Sequence, residues 1–147
     1  MKRRKFWFFG SLIVTLFVIF ILTTGSPLLT MAMDKNDTIP LGNLIVWAGM
    51  ISLPLTIYLG VKELRNPTRK LTKILAGFLK IIIILALLWV PISYLLAGNF
   101  SFNFSESESF QGGQIAMKCF WFLSYGIAIG TILTIIIYWI SLLFKKI

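Results

Sequence analysis

Residues 119–143 read CFWFLSYGIAIGTILTIIIYWISLL, twenty-five consecutive positions without a charge. A helix needs about 20 apolar residues to cross a hydrocarbon core of ~30 Å. Three more runs of this kind precede it, at about 6–26, 42–61 and 74–97. They read FWFFGSLIVTLFVIFILTTGS, GNLIVWAGMISLPLTIYLGV and ILAGFLKIIIILALLWVPISYLLA. The whole chain of 147 residues is 58% hydrophobic and only 13% charged, and its mean hydropathy is +0.90. A soluble domain carries about a quarter charged residues, and one of this size cannot hide so much apolar surface. The expected fold is therefore all-α: an integral membrane bundle of four transmembrane helices with short loops, forming a single domain over 1–147. Lys2, Arg3, Arg4 and Lys5 open the chain as they would a signal peptide. The apolar run that follows exceeds the 7–15 residues of a signal core, and no small-x-small site closes it, so it reads as an uncleaved first span.

Charge placement sets the expected orientation. Basic residues gather on the cytoplasmic side of short loops. Lys2 to Lys5 precede the first span; Lys62, Arg65, Arg69, Lys70 and Lys73 separate the second and third; Lys145 and Lys146 follow the fourth. The opposite loops hold only Lys35 and Lys118, together with Asp34, Asp37, Glu106 and Glu108. Both termini are thus expected inside a plasma membrane. The net charge of +9 reads as a topology signal and a contact with the anionic inner leaflet. It does not read as a nucleic-acid surface, because the inner loop is too short for a folded basic platform.

Absent residues narrow the chemistry. There is no histidine, so the commonest general base and metal ligand are missing. Cys119 is the single cysteine, which excludes an internal disulfide relay. None of the five acidic residues falls inside an expected span, whereas proton-coupled transport usually needs an intramembrane carboxylate or histidine. No catalytic, cofactor or metal residue is therefore assigned, and no cofactor is expected. The chain lacks the cysteines of quinone-linked disulfide oxidases and the buried carboxylate of small multidrug exporters, and no family resemblance is drawn.

Four features remain as candidates. Gly126 and Gly130 lie four apart in the fourth span, with Thr134 continuing the face; Ser52, Thr56 and Gly60 make a similar seam in the second. Small residues at this spacing let helix backbones approach closely, within one bundle or between two chains. Pro54 and Pro91 lie inside spans, where proline kinks a helix and frees a carbonyl. Lys80 is the one ionisable residue within a span. It can snorkel to the inner headgroups, or join Arg69, Lys70 and Lys73 in an anion or headgroup contact. Phe100, Phe102 and Phe104 alternate strictly with polar residues, as one face of an extended strand would. That segment is expected to rest on the outer interface or to pair with a partner. Trp7, Trp47, Trp89, Tyr94, Trp121, Tyr138 and Trp139 fall near span ends and read as interfacial aromatics. Asn36, Asn99 and Asn103 head Asn-x-Ser/Thr triplets in the outer loops, although the composition points to a bacterium.

The function expected from this is non-enzymatic. The chain reads as an accessory, regulatory or immunity-type protein that binds another membrane protein through its small-residue faces and outer aromatic loop. The alternative is an oligomeric small transporter or pore, with Gly126 and Gly130 at the contact between copies. A membrane enzyme acting on lipid ranks third, having only hydroxyls, lysines and loop acids to work with.

Overall fold

A computed structural model describes residues 2–34, 39–102, 104 and 110–144. Lys35, Asn36, Asp37, Asn103, Ser105, Glu106, Glu108, Lys145 and Lys146 lie outside the described residues. Six α-helices form among the described residues: α1 (Lys2–Thr24), α2 (Leu41–Gly60), α3 (Lys62–Arg65), α4 (Lys70–Leu87), α5 (Trp89–Ala97) and α6 (Gly113–Leu143). A 3-10 turn at Pro27–Leu29 follows α1, and the described residues contain no strand. α1, α2 and α6 are each long and apolar enough to cross a membrane. α4 and α5 qualify together, but they meet at an angle of 52°.

The break between α4 and α5 stands at Leu88, three residues before Pro91. A proline ring collides with the carbonyl four residues earlier, here that of Leu87. Pro91 then occupies the first turn of α5, where a missing N–H costs nothing. The expected third span of 74–97 is thus two helices, and the expected fourth span begins earlier, at Gly113. Pro54, by contrast, sits within an unbroken α2.

Packing centres on α2, which meets α1 on one side and α4, α5 and α6 on the other. α1 has no close backbone approach to α4, α5 or α6. The result is a row with α1 at its edge rather than a closed square of four. The main core is made by Ile82, Ala86, Trp89, Ala97, Phe102, Phe120 and Ile127. A second cluster of Leu64, Leu75, Leu79 and Tyr138 closes the end where the short α2–α4 connection lies. There the Tyr138 hydroxyl donates to Glu63 Oε2 at 3.1 Å, and Arg65 Nη1 donates to Leu59 O at 2.8 Å. The opposite end, the cap, is formed among the described residues by 25–34, 39–40, 98–102, 104 and 110–112.

Candidate functional site

The cap is built by side chains and turns instead of a strand. Gly98 ends α5 in the left-handed region at φ 73°, and the chain folds back so that Gln111 N donates to Ala97 O at 3.0 Å. Asn99 Oδ1 accepts the amide of Ser101 at 2.8 Å, a local turn that competes with extended backbone. Phe104 has φ 58°, which also breaks a strand. The shared face expected for Phe100, Phe102 and Phe104 therefore does not form. Phe100 stacks on Tyr94 with ring centroids 4.7 Å apart. Phe102 is fully buried between Trp89 and Phe120, with centroids 5.5 and 5.7 Å away. Phe104 lies against Gly42, where an added Cβ would stand 2.6 Å from its ring and 2.5 Å from Leu29 O.

Trp89 is buried in the bundle and Trp47 is half-buried, so neither projects freely from it as the expected interfacial aromatics would. Trp89 is completely buried, and its indole N–H donates to Ser124 Oγ at 2.8 Å. Trp47 Nε1 donates to Ala86 O at 3.0 Å, a carbonyl of the last turn of α4 before the break. Buried indoles commonly find such partners. Trp7 and Trp139 are exposed, as interfacial residues would be.

A hollow of about 360 Å³ opens within the cap, lined by Met33, Asp34, Ile39, Asn43, Leu44, Val90, Phe100 and Phe102. Asn43 belongs to the first turn of α2 and is only 3% exposed. Its Nδ2 donates to Phe100 O at 2.7 Å, tying α2 to the cap. Its Oδ1 is buried and has no hydrogen-bond partner. Asp34 holds its own loop closed, Oδ1 accepting the amide of Ile39 at 2.9 Å. Met33 N to Ile39 O (2.9 Å) and Leu41 N to Met31 O (2.8 Å) fasten the same loop. The hollow thus has aromatic and aliphatic walls, with Asn43 and Asp34 among its lining residues.

The small-residue positions separate into two groups. On α2, Ser52 Oγ accepts from Thr15 Oγ1 of α1 at 2.9 Å. A Cβ on Gly60 would stand 2.8 Å from the Phe8 ring, and one on Gly49 would stand 2.6 Å from Val18 Cγ1. Thr56 bonds back to Ser52 O at 2.7 Å. On α6, Gly130 faces Ile82 and Phe78 of α4, and Thr134 is buried with its hydroxyl on Gly130 O. Gly126, however, is exposed, and a Cβ added there would meet nothing within 4 Å. A second, wholly apolar groove of about 160 Å³ runs between α1, α2 and α6, where Thr15, Val18 and Leu22 face Met50 and Ile127.

Arg69, Lys70, Lys73 and Lys80 are all exposed. Lys70, Lys73 and Lys80 share one face of α4 by their three- and seven-residue spacing. Thr72 fixes the start of that helix, its hydroxyl accepting from Arg69 N at 3.2 Å. Cys119 is exposed near the cap end of α6. Among the described residues no cluster of His, Cys, Asp or Glu could hold a metal ion.

Neither Asn43 nor Asp34 stands out as a site residue in the sequence. A signal for Asn43 is nevertheless present: an amide at the head of an apolar run must be satisfied by something. What Asn43 faces depends on the cap fold, which the alternation of Phe100, Phe102 and Phe104 misdescribes. Comparison with protein-family models, curated proteins and solved structures yields no match to this chain, so its site is read from its own geometry.

Proposed function

We propose that the chain is a non-enzymatic binding protein with four membrane spans, α4 and α5 together forming the third. In this reading both termini are cytoplasmic, the cap faces outward, and the membrane is a bacterial plasma membrane. The protein acts as an accessory, regulatory or immunity-type component that recognises another membrane protein at the cap. The observation that carries the reading is the cap hollow, where Asn43 Oδ1 is buried without a partner beside aromatic walls. A buried unsatisfied amide costs roughly 1–3 kcal/mol unless something meets it. The exposed cations Arg69, Lys70, Lys73 and Lys80 serve as contacts with anionic inner-leaflet lipid.

The test is a photo-activatable residue placed at Leu44 or Phe100, both exposed at the hollow, with Lys70 as the control at the other end. After cross-linking in native membranes, mass spectrometry and the mass of the gently purified complex are read. One stoichiometric protein captured from the cap positions, and not from Lys70, is expected. Adducts to lipid alone would overturn the reading.

One observation favours a second reading, an oligomeric transporter or pore. Gly126 leaves an open face on α6 that a second copy could approach. Trp89, Phe102 and Phe120 fill the centre of the single chain, so any path would run between copies. Flux in liposomes containing only this protein, together with a defined homo-oligomer, would bring this reading forward.

A further inference from the structure

α4 carries three lysines, Lys70, Lys73 and Lys80, and no acid. All three are exposed. Glu63 bonds to Tyr138, which packs with Leu75 and Leu79 on the opposite face of the helix. Lys70 and Lys73 stand in the first turn of α4, with Arg69 just before them. A helix N-terminus is the positive end of its dipole, so cations there are disfavoured unless an anion joins them. Lys80 stands in the apolar part of the helix, about 10 Å beyond Lys73 at ~1.5 Å per residue. A cation at that depth is costly unless it reaches a headgroup or a counter-charge.

Gly77 supplies the independent observation. It lies four residues after Lys73 and three before Lys80, so the three share one strip of the helix surface. A Cβ added at Gly77 would meet nothing within 4 Å, so no neighbouring helix requires a glycine there. In an exposed helix interior a glycine destabilises relative to alanine. What it leaves is a gap between the two lysines. Helical side chains slope toward the N-terminus, so Lys80 lies over Ala76 and Gly77. A methyl group and bare backbone leave its path toward Lys73 open. In the other direction Ile81 and Ile84 continue the strip, each 55% exposed.

We infer that this strip is a binding site for one anionic phospholipid, its phosphate seated over Gly77 between Lys73 and Lys80. Lys80 approaches the phosphate from the membrane side, Lys73 and Lys70 approach it from the loop side, and an acyl chain lies along Ile81 and Ile84. A lipid fits where a dissolved anion does not, because Lys80 and both isoleucines stand in the apolar stretch of α4. The inference rests on the reading of α4 as part of a membrane span, and it turns a general contact with the leaflet into a defined site. It does not depend on what the cap binds.

The experiment titrates the full chain in nonionic micelles with phosphatidylglycerol and counts bound lipid by native mass spectrometry. One lipid per chain is expected to bind at least about fivefold more tightly than any later one. Phosphatidylcholine, whose phosphate is offset by its own ammonium group, should bind at least about fivefold more weakly. Lys73→Met and Lys80→Met should each weaken the first lipid about fivefold, the scale for one cation at an anionic surface. Lys62→Met removes an exposed cation of the α2–α4 connection that lies off the strip, and should change the affinity less than about twofold. Gly77→Leu is the sharpest variant. It keeps every charge, meets no neighbour and raises helix propensity, yet it fills the gap. It should weaken the first lipid at least about fivefold without lowering the thermal midpoint.

Equal losses for Lys62→Met and Lys80→Met, or an unchanged affinity in Gly77→Leu, would reduce the lysines to diffuse attraction and overturn the site. Displacement of the lipid by glycerol phosphate at a comparable concentration would make a dissolved anion the ligand and overturn it as well. The span is checked separately, in proteoliposomes of a Cys119→Ser chain carrying Ile84→Cys. The new thiol is expected to be shielded from a water-soluble maleimide. Labelling there would end the span reading and the site with it, whereas shielding without lipid selectivity would end the site alone.

Discussion

The two sides of α2 have similar hydropathy but hold their neighbours by different means. Toward α1 the contact is a seam of small groups: Gly49 under Val18, Ser52 bonded to Thr15, and Gly60 beneath Phe8. Toward α4, α5 and α6 it is an interlock of large rings, with Trp89, Phe102 and Phe120 in mutual contact and two indoles hydrogen-bonded across helices. The seam works because backbones come close, so it fails when a side chain is added. The interlock works because volume is filled, so it fails when a side chain is removed. In a membrane both gain from packing, since lipid is as apolar as the helices.

The largest effect should come from emptying the interlock. Trp89→Ala is expected to cost about 3–5 kcal/mol, the scale for deleting a buried ring, as read by reversible denaturation in mixed micelles. Trp89→Phe should recover most of that. Next comes crowding the seam. Gly49→Leu should cost about 1–3 kcal/mol and loosen α1 while the α4–α6 side stays intact. Cysteine pairs across α1 and α2 would lose their cross-linking, and pairs across α4 and α6 would keep theirs. Loss of both would show that the two sides are one cooperative unit and break the comparison.

A smaller effect is expected for the hydroxyl pair of the seam. A double-mutant cycle on Thr15→Val and Ser52→Ala should give a coupling of about 0.6 kcal/mol, typical of interhelical bonds in membranes. The smallest belongs to Gly126→Leu, which should fall within about 0.5 kcal/mol because no neighbour stands in the way. A much larger loss there, accompanied by a change in oligomeric mass, would identify Gly126 as a seam toward a second chain.

Helix positions are largely legible from hydropathy, because an apolar run of this length has few alternatives to a helix. α2 begins and ends within a residue of its expected limits of 42 and 61. The break at Leu88 is half legible: Pro91 announces a kink, and the clash with the carbonyl four residues back places it. The cap is not legible. Alternation of Phe100, Phe102 and Phe104 reports which residues are apolar, but a local Asn99–Ser101 bond and a left-handed Phe104 decide the backbone. Trp89 illustrates the same difficulty. Its position near a span end fits an interfacial residue, and only the presence of Ser124 and Phe102 makes it a core residue. The hollow depends on both, so Asn43 and Asp34 come to line one hollow only in three dimensions.

The seat of Phe102 has a consequence in time. Its two ring neighbours come from different helices, Trp89 on α5 and Phe120 on α6, which is made after α1 to α5. During synthesis α1, α2, α4 and α5 are made before Phe120 exists to receive Phe102. It follows that Phe102 takes its seat only once α6 has docked, so this wall of the hollow forms after the helices that precede α6. A chain interrupted before α6 would carry Asn43, Asp34 and Phe102 but lack the Phe120 ring that holds Phe102 in the wall of the hollow.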